Sequence, residues 1–131
     1  MILSCAFAAF LVPVWQMAMS GLVALEAREG VTWRNAMRCV LYGGVPRDEW
    51  CVRPGALPVL DDERIAAQKA IYDLCIGRFG HLKRLEIVRA CRPAKDVHQT
   101  EFADGTTVTA NFADGRLEVN GLLIDKPAAI S

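Results

Sequence analysis

Hydrophobic and polar residues alternate along the last third of the chain. Within residues 107–112 the apolar side chains are Val108, Ala110 and Phe112, and a Thr or Asn separates each from the next. Successive side chains of a strand point to opposite faces of a sheet. This segment therefore predicts a strand with one buried face and one wetted face.

Turn signals divide the same region at regular intervals. The tetrapeptide Phe-Ala-Asp-Gly stands at 102–105 and again at 112–115, and Asn-Gly follows at 120–121. Asp-Gly and Asn-Gly are typical of hairpins, because the primed turns that match strand twist need positive φ at both central residues. We predict an antiparallel meander of four strands, over residues 96–103, 106–113, 116–119 and 122–126. Such a meander is marginal alone, so it must pack on the preceding residues or on another polypeptide.

A first helix is predicted upstream of the meander. Thr32 is a suitable N-cap, and Gly43-Gly44 is a suitable end. Between them, apolar residues recur at three- and four-residue spacings. These positions are Trp33, Ala36, Met37, Val40 and Leu41.

A second helix is predicted from Asp61 or Asp62, where acidic residues complement the helix dipole. Its predicted apolar face consists of Ile65, Gln68, Tyr72, Cys75 and Phe79. Gly77 and Gly80 weaken its end. Further on, the Arg92-Pro93 step disfavours helix and marks a boundary with the meander.

The first 25 residues carry no charged side chain, and the first charge is Glu26. The run is long enough to span a membrane. However, Pro13 interrupts it, and no Lys or Arg precedes it as the flank of a signal peptide. The alternative is a buried strand over 12–19, a continuous apolar run typical of sheets covered on both faces. The residues alone leave open a buried strand and a small exported or membrane-tethered α+β binding module.

Composition narrows the function without identifying it. At 131 residues the chain has the size of one domain, and 15 basic residues balance 15 acidic ones. A zero net charge argues against nucleic acid as a partner. The 5 cysteines include no Cys-x-x-Cys pair, and only 2 histidines are present. We therefore predict no metal site, no cofactor, and cysteines that are mostly buried or unpaired thiols.

The candidate catalytic groups have simpler structural interpretations. Asp48 and Glu49 beside Trp50 are the raw material of a glycosidase site. Adjacent side chains diverge, however, so a solvated loop or a helix cap is favoured. His98 lies in an alternating segment, which favours an exposed strand residue over a catalytic base. The three tryptophans suit a core or a sugar-stacking surface, and the core is favoured.

Three segments together resemble the C-terminal end of (β/α)8-barrel glycoside hydrolases. They are Val-Pro-Val-Trp-Gln at 12–16, Leu-Tyr-Gly-Gly-Val-Pro at 41–46 and Phe-Ala-Asp-Gly-Thr-Thr-Val-Thr-Ala-Asn-Phe at 102–112. In those enzymes a last barrel strand, a Tyr-Gly-x-x-Pro loop and a returning helix precede an antiparallel β domain. The resemblance implies that residues 12–19 are the last barrel strand, whose apolarity then needs neither membrane nor export.

The resemblance implies an α+β fold in two parts. Residues 1–92 contain the final strand and helices of a barrel, and residues 93–131 form a small antiparallel, meander- or sandwich-like domain. A complete barrel needs about 250 residues, so the chain is expected to be a fragment. Its expected partner is carbohydrate or the remainder of a longer barrel chain.

The resemblance assigns no catalytic residue to this chain, because the catalytic carboxylates of those enzymes lie on earlier strands. Independent glycoside hydrolysis is therefore not expected. Ser20-Gly21 stands where a polar pair is expected after the barrel strand. Gln16 and Trp33 are the predicted sugar contacts.

Overall fold

The computed structural model describes residues 14–22, 26–27, 32–46 and 61–130. Within these ranges, three α-helices precede a five-stranded sheet, which makes the fold α+β as predicted. The helices are α1 (Val14–Met19), α2 (Trp33–Tyr42) and α3 (Asp62–Tyr72). The strands are β1 (Glu26–Ala27), β2 (Val45–Pro46), β3 (Ile87–Ala94), β4 (Val97–Phe102), β5 (Thr107–Asn111), β6 (Arg116–Val119) and β7 (Leu122–Ile124). A π-helical turn (Asp73–Arg78) and a 3₁₀ turn (Gly80–Arg84) connect α3 to the large sheet.

The large sheet is an antiparallel meander in the order β3-β4-β5-β6-β7. The four predicted strands are present, and β3 adds a fifth at one edge. On β5, Val108 and Ala110 are buried while their neighbours are half-buried, so the predicted faces are confirmed. The register aligns His98 with Ala110, Leu117 and Ile124 in one row across four strands. This row lies on the face that packs against α2, because its last three members belong to the core.

The three predicted turns differ in conformation. Asn120 and Gly121 both have positive φ, 51° and 79°, as a primed two-residue turn requires. In the two Asp-Gly turns only the glycine has positive φ, 87° at Gly105 and 67° at Gly115. The expectation of primed turns at both Asp-Gly sites is therefore wrong. Four residues rather than two separate the strands there, and side-chain hydrogen bonds close these longer turns.

α2 is the central helix of the core. Thr32 caps it as predicted, with its Oγ1 accepting a hydrogen bond from the amide of Asn35 at 3.3 Å. Gly43 ends it with a φ of 63°, and a Cβ at this position would lie 2.8 Å from the carbonyl oxygen of Leu82. Only glycine fits such a close approach. All five predicted apolar positions are buried: Trp33, Ala36, Met37, Val40 and Leu41.

α3 begins as predicted, with Oδ1 of Asp61 accepting from the amide of Arg64 at 2.8 Å. Its predicted apolar face is wrong in its first half, because Ile65 and Tyr72 are 49% and 58% exposed. The buried residues of α3 and the π-helical turn are Ala67, Ile71, Leu74 and Cys75. A π-helical turn holds more residues than an α-helical one. Regularly spaced apolar positions on either side of it therefore do not share one face.

Residues Val14–Met19 form α1, so the strand predicted over 12–19 is wrong where the structure describes it. Gln, Met and Ala are good helix formers, and they supply most of this segment. After α1, the Ser20 hydroxyl donates to the Met17 carbonyl and accepts from the Ile87 amide, both at 2.8 Å. Ser20 thereby joins α1 to the start of β3. Within the described ranges, every helix is too short or too polar to cross a membrane.

β1 and β2 pair in parallel, with Glu26 opposite Val45 and Ala27 opposite Pro46. α2 connects them, so the three elements form a short β-α-β unit. The predicted boundary between residues 92 and 93 falls inside β3. The division into parts 1–92 and 93–131 stays a prediction.

Candidate functional site

Trp33, one of the two predicted sugar contacts, begins α2 and is 7% exposed. Its indole Nε1 donates to the carbonyl oxygen of Gly115 at 2.7 Å. The ring also lies against Gly115, because a Cβ there would be 3.5 Å from the Trp33 Cδ1. Trp33 therefore ties α2 to the second Phe-Ala-Asp-Gly turn. Its role as a sugar contact stays a prediction.

Gln16, the other predicted sugar contact, lies in α1, and its side chain is outside the described residues. Asp48, Glu49 and Trp50 also lie outside them. The predictions made on these four residues stay predictions.

A group of basic and aromatic side chains lies where α2 meets the end of β5. The Cζ atom of Arg34 is 5.0 Å from the centroid of the Phe112 ring, and that of Arg38 is 5.9 Å from it. The imidazole of His98 meets the same ring edge-on, with centroids 5.5 Å apart and an interplanar angle of 77°. We call these four residues the Phe112 cluster.

Two elements position the Phe112 cluster. Arg34 and Arg38 are four residues apart on α2, so they project from one side of the helix. His98 lies on β4 opposite Ala110, and Phe112 follows the last residue of β5. Attraction between each guanidinium and the ring offsets part of the repulsion between like charges, with each cation–π contact worth about 0.5–1 kcal/mol at an exposed site.

The surroundings of His98 favour the uncharged imidazole. Burial lowers the pKa of His98, and the positive charges of Arg92, Arg38 and Arg34 lower it further, while Asp96 alone opposes them. The imidazole is therefore neutral near pH 7, with one N–H donor and one acceptor nitrogen. His98 was predicted as an exposed strand residue, and the structure places it on β4 but half-buried beside an aromatic ring.

Sequence reasoning did not find the Phe112 cluster. One signal was present, namely two arginines spaced four apart on the polar side of the first predicted helix. The second half of the cluster depends on which strand end lies under that helix. That information comes from the register of the sheet and not from any local pattern.

The described carboxyl groups do not resemble a glycosidase acid. A general acid of that kind has a raised pKa. The pKa of Asp104 is instead lowered, because its carboxylate accepts a hydrogen bond from the Thr106 amide at 2.9 Å. Within the described ranges, no three His, Cys, Asp or Glu side chains are grouped to hold a metal ion.

The thiols of α2 and the π-helical turn are structural. Cys39 and Cys75 are both buried and free, which confirms the prediction for these two. The Cys75 thiol donates to the Ala36 carbonyl at 3.7 Å. A hydrogen bond with Cys75, together with burial, raises the pKa of Cys39. A buried thiol of this kind is a poor nucleophile.

Searches with the sequence match no family model and no curated protein. The structure is similar to the α-N-acetylgalactosaminidase NagBb from Bifidobacterium bifidum. The ligand-free form of that enzyme aligns with a TM-score of 0.55 and 23% identity, over 84% of this chain and 17% of that chain. The complex with GalNAc aligns with a TM-score of 0.59 and 22% identity, over 92% of this chain and 20% of that chain. The Gal-NHAc-DNJ complex gives 0.59, 20% identity, 92% and 21%.

These alignments bear on the fold alone, because the identities are below one quarter. The predicted resemblance to part of a glycoside hydrolase is confirmed at that level. The chain spans only 17–21% of the length of the solved structures that it matches. The activity of the whole neighbour is therefore not transferred to this chain by the alignment.

Proposed function

We propose that this chain is a C-terminal, non-catalytic part of a carbohydrate-active protein related to glycoside hydrolases. The observation that carries the proposal is the structural alignment, which covers 92% of this chain but about one fifth of a much larger α-N-acetylgalactosaminidase. A segment that matches a small share of an enzyme is suited to support the enzyme's fold rather than to perform its reaction alone.

The short β-α-β unit supports the barrel component of the proposal. β1, α2 and β2 have the connectivity of a barrel repeat, with parallel strands joined by a helix. In this proposal the unit is the end of the barrel, at Glu26–Ala27 rather than at residues 12–19. The large antiparallel sheet then packs beside the barrel through α2, which contributes to both.

The absence of independent catalysis follows from the chemistry of the described residues. Asp104 has a lowered pKa and lies in an exposed turn, and His98 is held neutral among arginines. Neither arrangement supplies the pair of carboxylates that hydrolysis of a glycosidic bond needs. The missing groups are assigned to the remainder of a longer barrel chain.

Trp33 and Gln16 are retained as the proposed sugar contacts. α1 and the first turn of α2 carry them. For Trp33 the contact must use the small exposed part of the ring, because its Nε1 already donates to Gly115. A Trp33→Phe variant keeps a stacking ring while removing that bond, so it separates sugar binding from support of the turn.

The proposal is tested on the native product in its own host. An antibody raised against residues 96–126 is expected to detect a species much heavier than 14.4 kDa, or this chain bound to a barrel protein. The purified 131-residue chain is expected to leave a chromogenic α-N-acetylgalactosaminide intact. A free 131-residue native product that turns over the glycoside would overturn the proposal.

A further inference from the structure

We propose that the Phe112 cluster is a binding site for an oxyanion, namely a sulfate, phosphate or carboxylate group. This inference goes beyond the proposed function and does not depend on it. The residues that carry it belong to this chain, and they are placed by α2 and the antiparallel sheet.

The first argument is the local imbalance of charge. The whole chain is neutral, with 15 basic and 15 acidic residues. Around His98, however, the arginines at 34, 38 and 92 act against the single carboxylate of Asp96. Neither Arg34 nor Arg92 has an ion-pair partner among the described residues. A bound anion would neutralise charge that these side chains do not.

The second argument is the way in which the guanidinium groups are held. Long arginine side chains in water separate when they repel, yet Arg34 and Arg38 rest on one aromatic ring, at 5.0 and 5.9 Å from its centroid. The ring binds their planes and leaves N–H groups at their edges free to donate. Guanidinium edges match the geometry of carboxylate, sulfate and phosphate oxygens. Because part of the ordering is already present, less rotamer entropy is lost on binding.

The third argument is the neighbouring imidazole. His98 is half-buried and lies 5.5 Å from the same ring, so its N–H is a positioned neutral donor beside two cations. Arg92, Arg38, Arg34 and Asp96 are the charged groups that act on it. An anion bound there would reverse the local sign and favour the protonated imidazole. The site therefore contains its own reporter.

The test uses the full chain and inorganic sulfate as the probe. The pH titration of the His98 Cε1–H signal is recorded by NMR with increasing sulfate, and with chloride at matched ionic strength. We expect sulfate to raise the pKa of His98 in a saturable way and chloride to raise it less and without saturation. The signal of His81, on the 3₁₀ turn, reports non-specific salt effects.

Variants locate the site. Arg34→Gln and Arg38→Gln are each expected to weaken sulfate binding about tenfold, the order of one charge-assisted hydrogen bond. Arg34→Lys keeps the charge and loses the fork, so its effect is expected to be smaller. Arg116→Gln is the matched control, because Arg116 lies exposed on the other face of the sheet, paired with Glu118 at 2.7 Å. An unchanged sulfate response in both Gln variants, or equal responses to sulfate and chloride, would refute the site.

Two sugar probes identify the source of the anion. A sulfated monosaccharide that binds more tightly than inorganic sulfate, with the same loss in Arg34→Gln, assigns the site to anionic glycans. Equal binding of the two assigns it to free anions. Binding of the unsulfated parent sugar as tight as that of the sulfated one, with no effect of Arg34→Gln, contradicts an oxyanion site.

Discussion

Phe102 and Phe112 begin two identical tetrapeptides, yet their surroundings differ. Phe102 is 1% exposed within the core. Phe112 is half-buried at the rim, beneath the guanidinium groups of Arg34 and Arg38. The same four residues therefore form a core anchor in one copy and a cationic surface in the other.

The two ends of α2 explain this difference. At its C-terminal end, the Thr100 hydroxyl donates to the Leu41 carbonyl at 2.6 Å, and a Cβ on Gly43 would lie 3.2 Å from the Phe102 ring. That end of the helix covers the first copy. At its N-terminal end, Trp33 holds the second copy through one hydrogen bond to its turn. The tetrapeptide specifies a turn, and the nearby helix end specifies how much of the phenylalanine is buried.

The largest expected effect comes from truncating the two rings. Phe102→Ala is expected to lower the free energy of unfolding by about 3–5 kcal/mol, because it leaves a cavity in the core. Phe112→Ala is expected to cost about 1–2 kcal/mol, since the ring is half-buried and loses mainly its contacts with arginine. Urea denaturation of both variants measures the difference. Equal losses would mean that the two copies are equally buried in solution.

Much of the fold follows from local patterns. The cap at Thr32, the end at Gly43 and the strands around the turns are all encoded by residues close together in the sequence. The face of α3 was not predictable in this way, because the π-helical turn shifts the apolar positions after Tyr72. The helix over Val14–Met19 was missed because an apolar run of this length suits a buried helix as well as a strand.

The Phe112 cluster shows where sequence reasoning stops. Trp33 was identified as a core anchor or a sugar contact from its residue type, but its partner Gly115 is 82 residues away. Arg34 and His98 meet through the packing of α2 on the sheet, a contact that no periodicity contains. Sites built across elements need the register and the packing as well as the pattern.

The next effect concerns the hydrogen bonds at the two ends of α2. Thr100→Val removes the bond to the Leu41 carbonyl, and Trp33→Phe removes the bond to the Gly115 carbonyl. Each is expected to cost about 1–3 kcal/mol, because a carbonyl with few other partners loses its donor. Hydrogen exchange distinguishes them. Thr100→Val should speed exchange across the core, whereas Trp33→Phe should speed it mainly in the turn 112–115. Exchange that rises across the core in both variants would contradict the comparison.

A smaller effect concerns the aspartates of the two copies. Asp104 closes its own turn, with Oδ1 accepting from the Thr106 amide at 2.9 Å. In the second copy Asn111 has that role, accepting from the amides of Ala113 and Asp114 at 3.0 and 3.2 Å. Asp104→Ala is therefore expected to cost about 1 kcal/mol, and Asp114→Ala less than about 0.5 kcal/mol. Urea denaturation above pH 7 compares them, and Asn111→Ala serves as the matched loss in the second turn. An Asp114→Ala cost as large as that of Asp104→Ala would contradict this assignment.

The smallest effects are differences in pH dependence. The folded state lowers the pKa of His98 through burial and through Arg92, Arg38 and Arg34, against Asp96. The unfolded chain then binds more protons as the pH falls below the ordinary histidine value of about 6.5, so stability is present above that value and lost below it. The lowered pKa of Asp104 has the same sign in a lower window. Its contribution is present above the ordinary value of about 3.9 and is lost as the pH falls further.

Acid should therefore weaken the two copies of the tetrapeptide in sequence, the rim copy first. His98→Gln is expected to remove the slope of the urea midpoint between about pH 7 and pH 5, and to leave the slope below about pH 4 unchanged. Asp104→Asn is expected to do the reverse. Sulfate should flatten the upper window alone, because an anion in the Phe112 cluster makes the protonated imidazole less costly. If His98→Gln retained the upper slope, the cationic surroundings of Phe112 would not determine the acid response of the fold, and the two copies would differ in burial only.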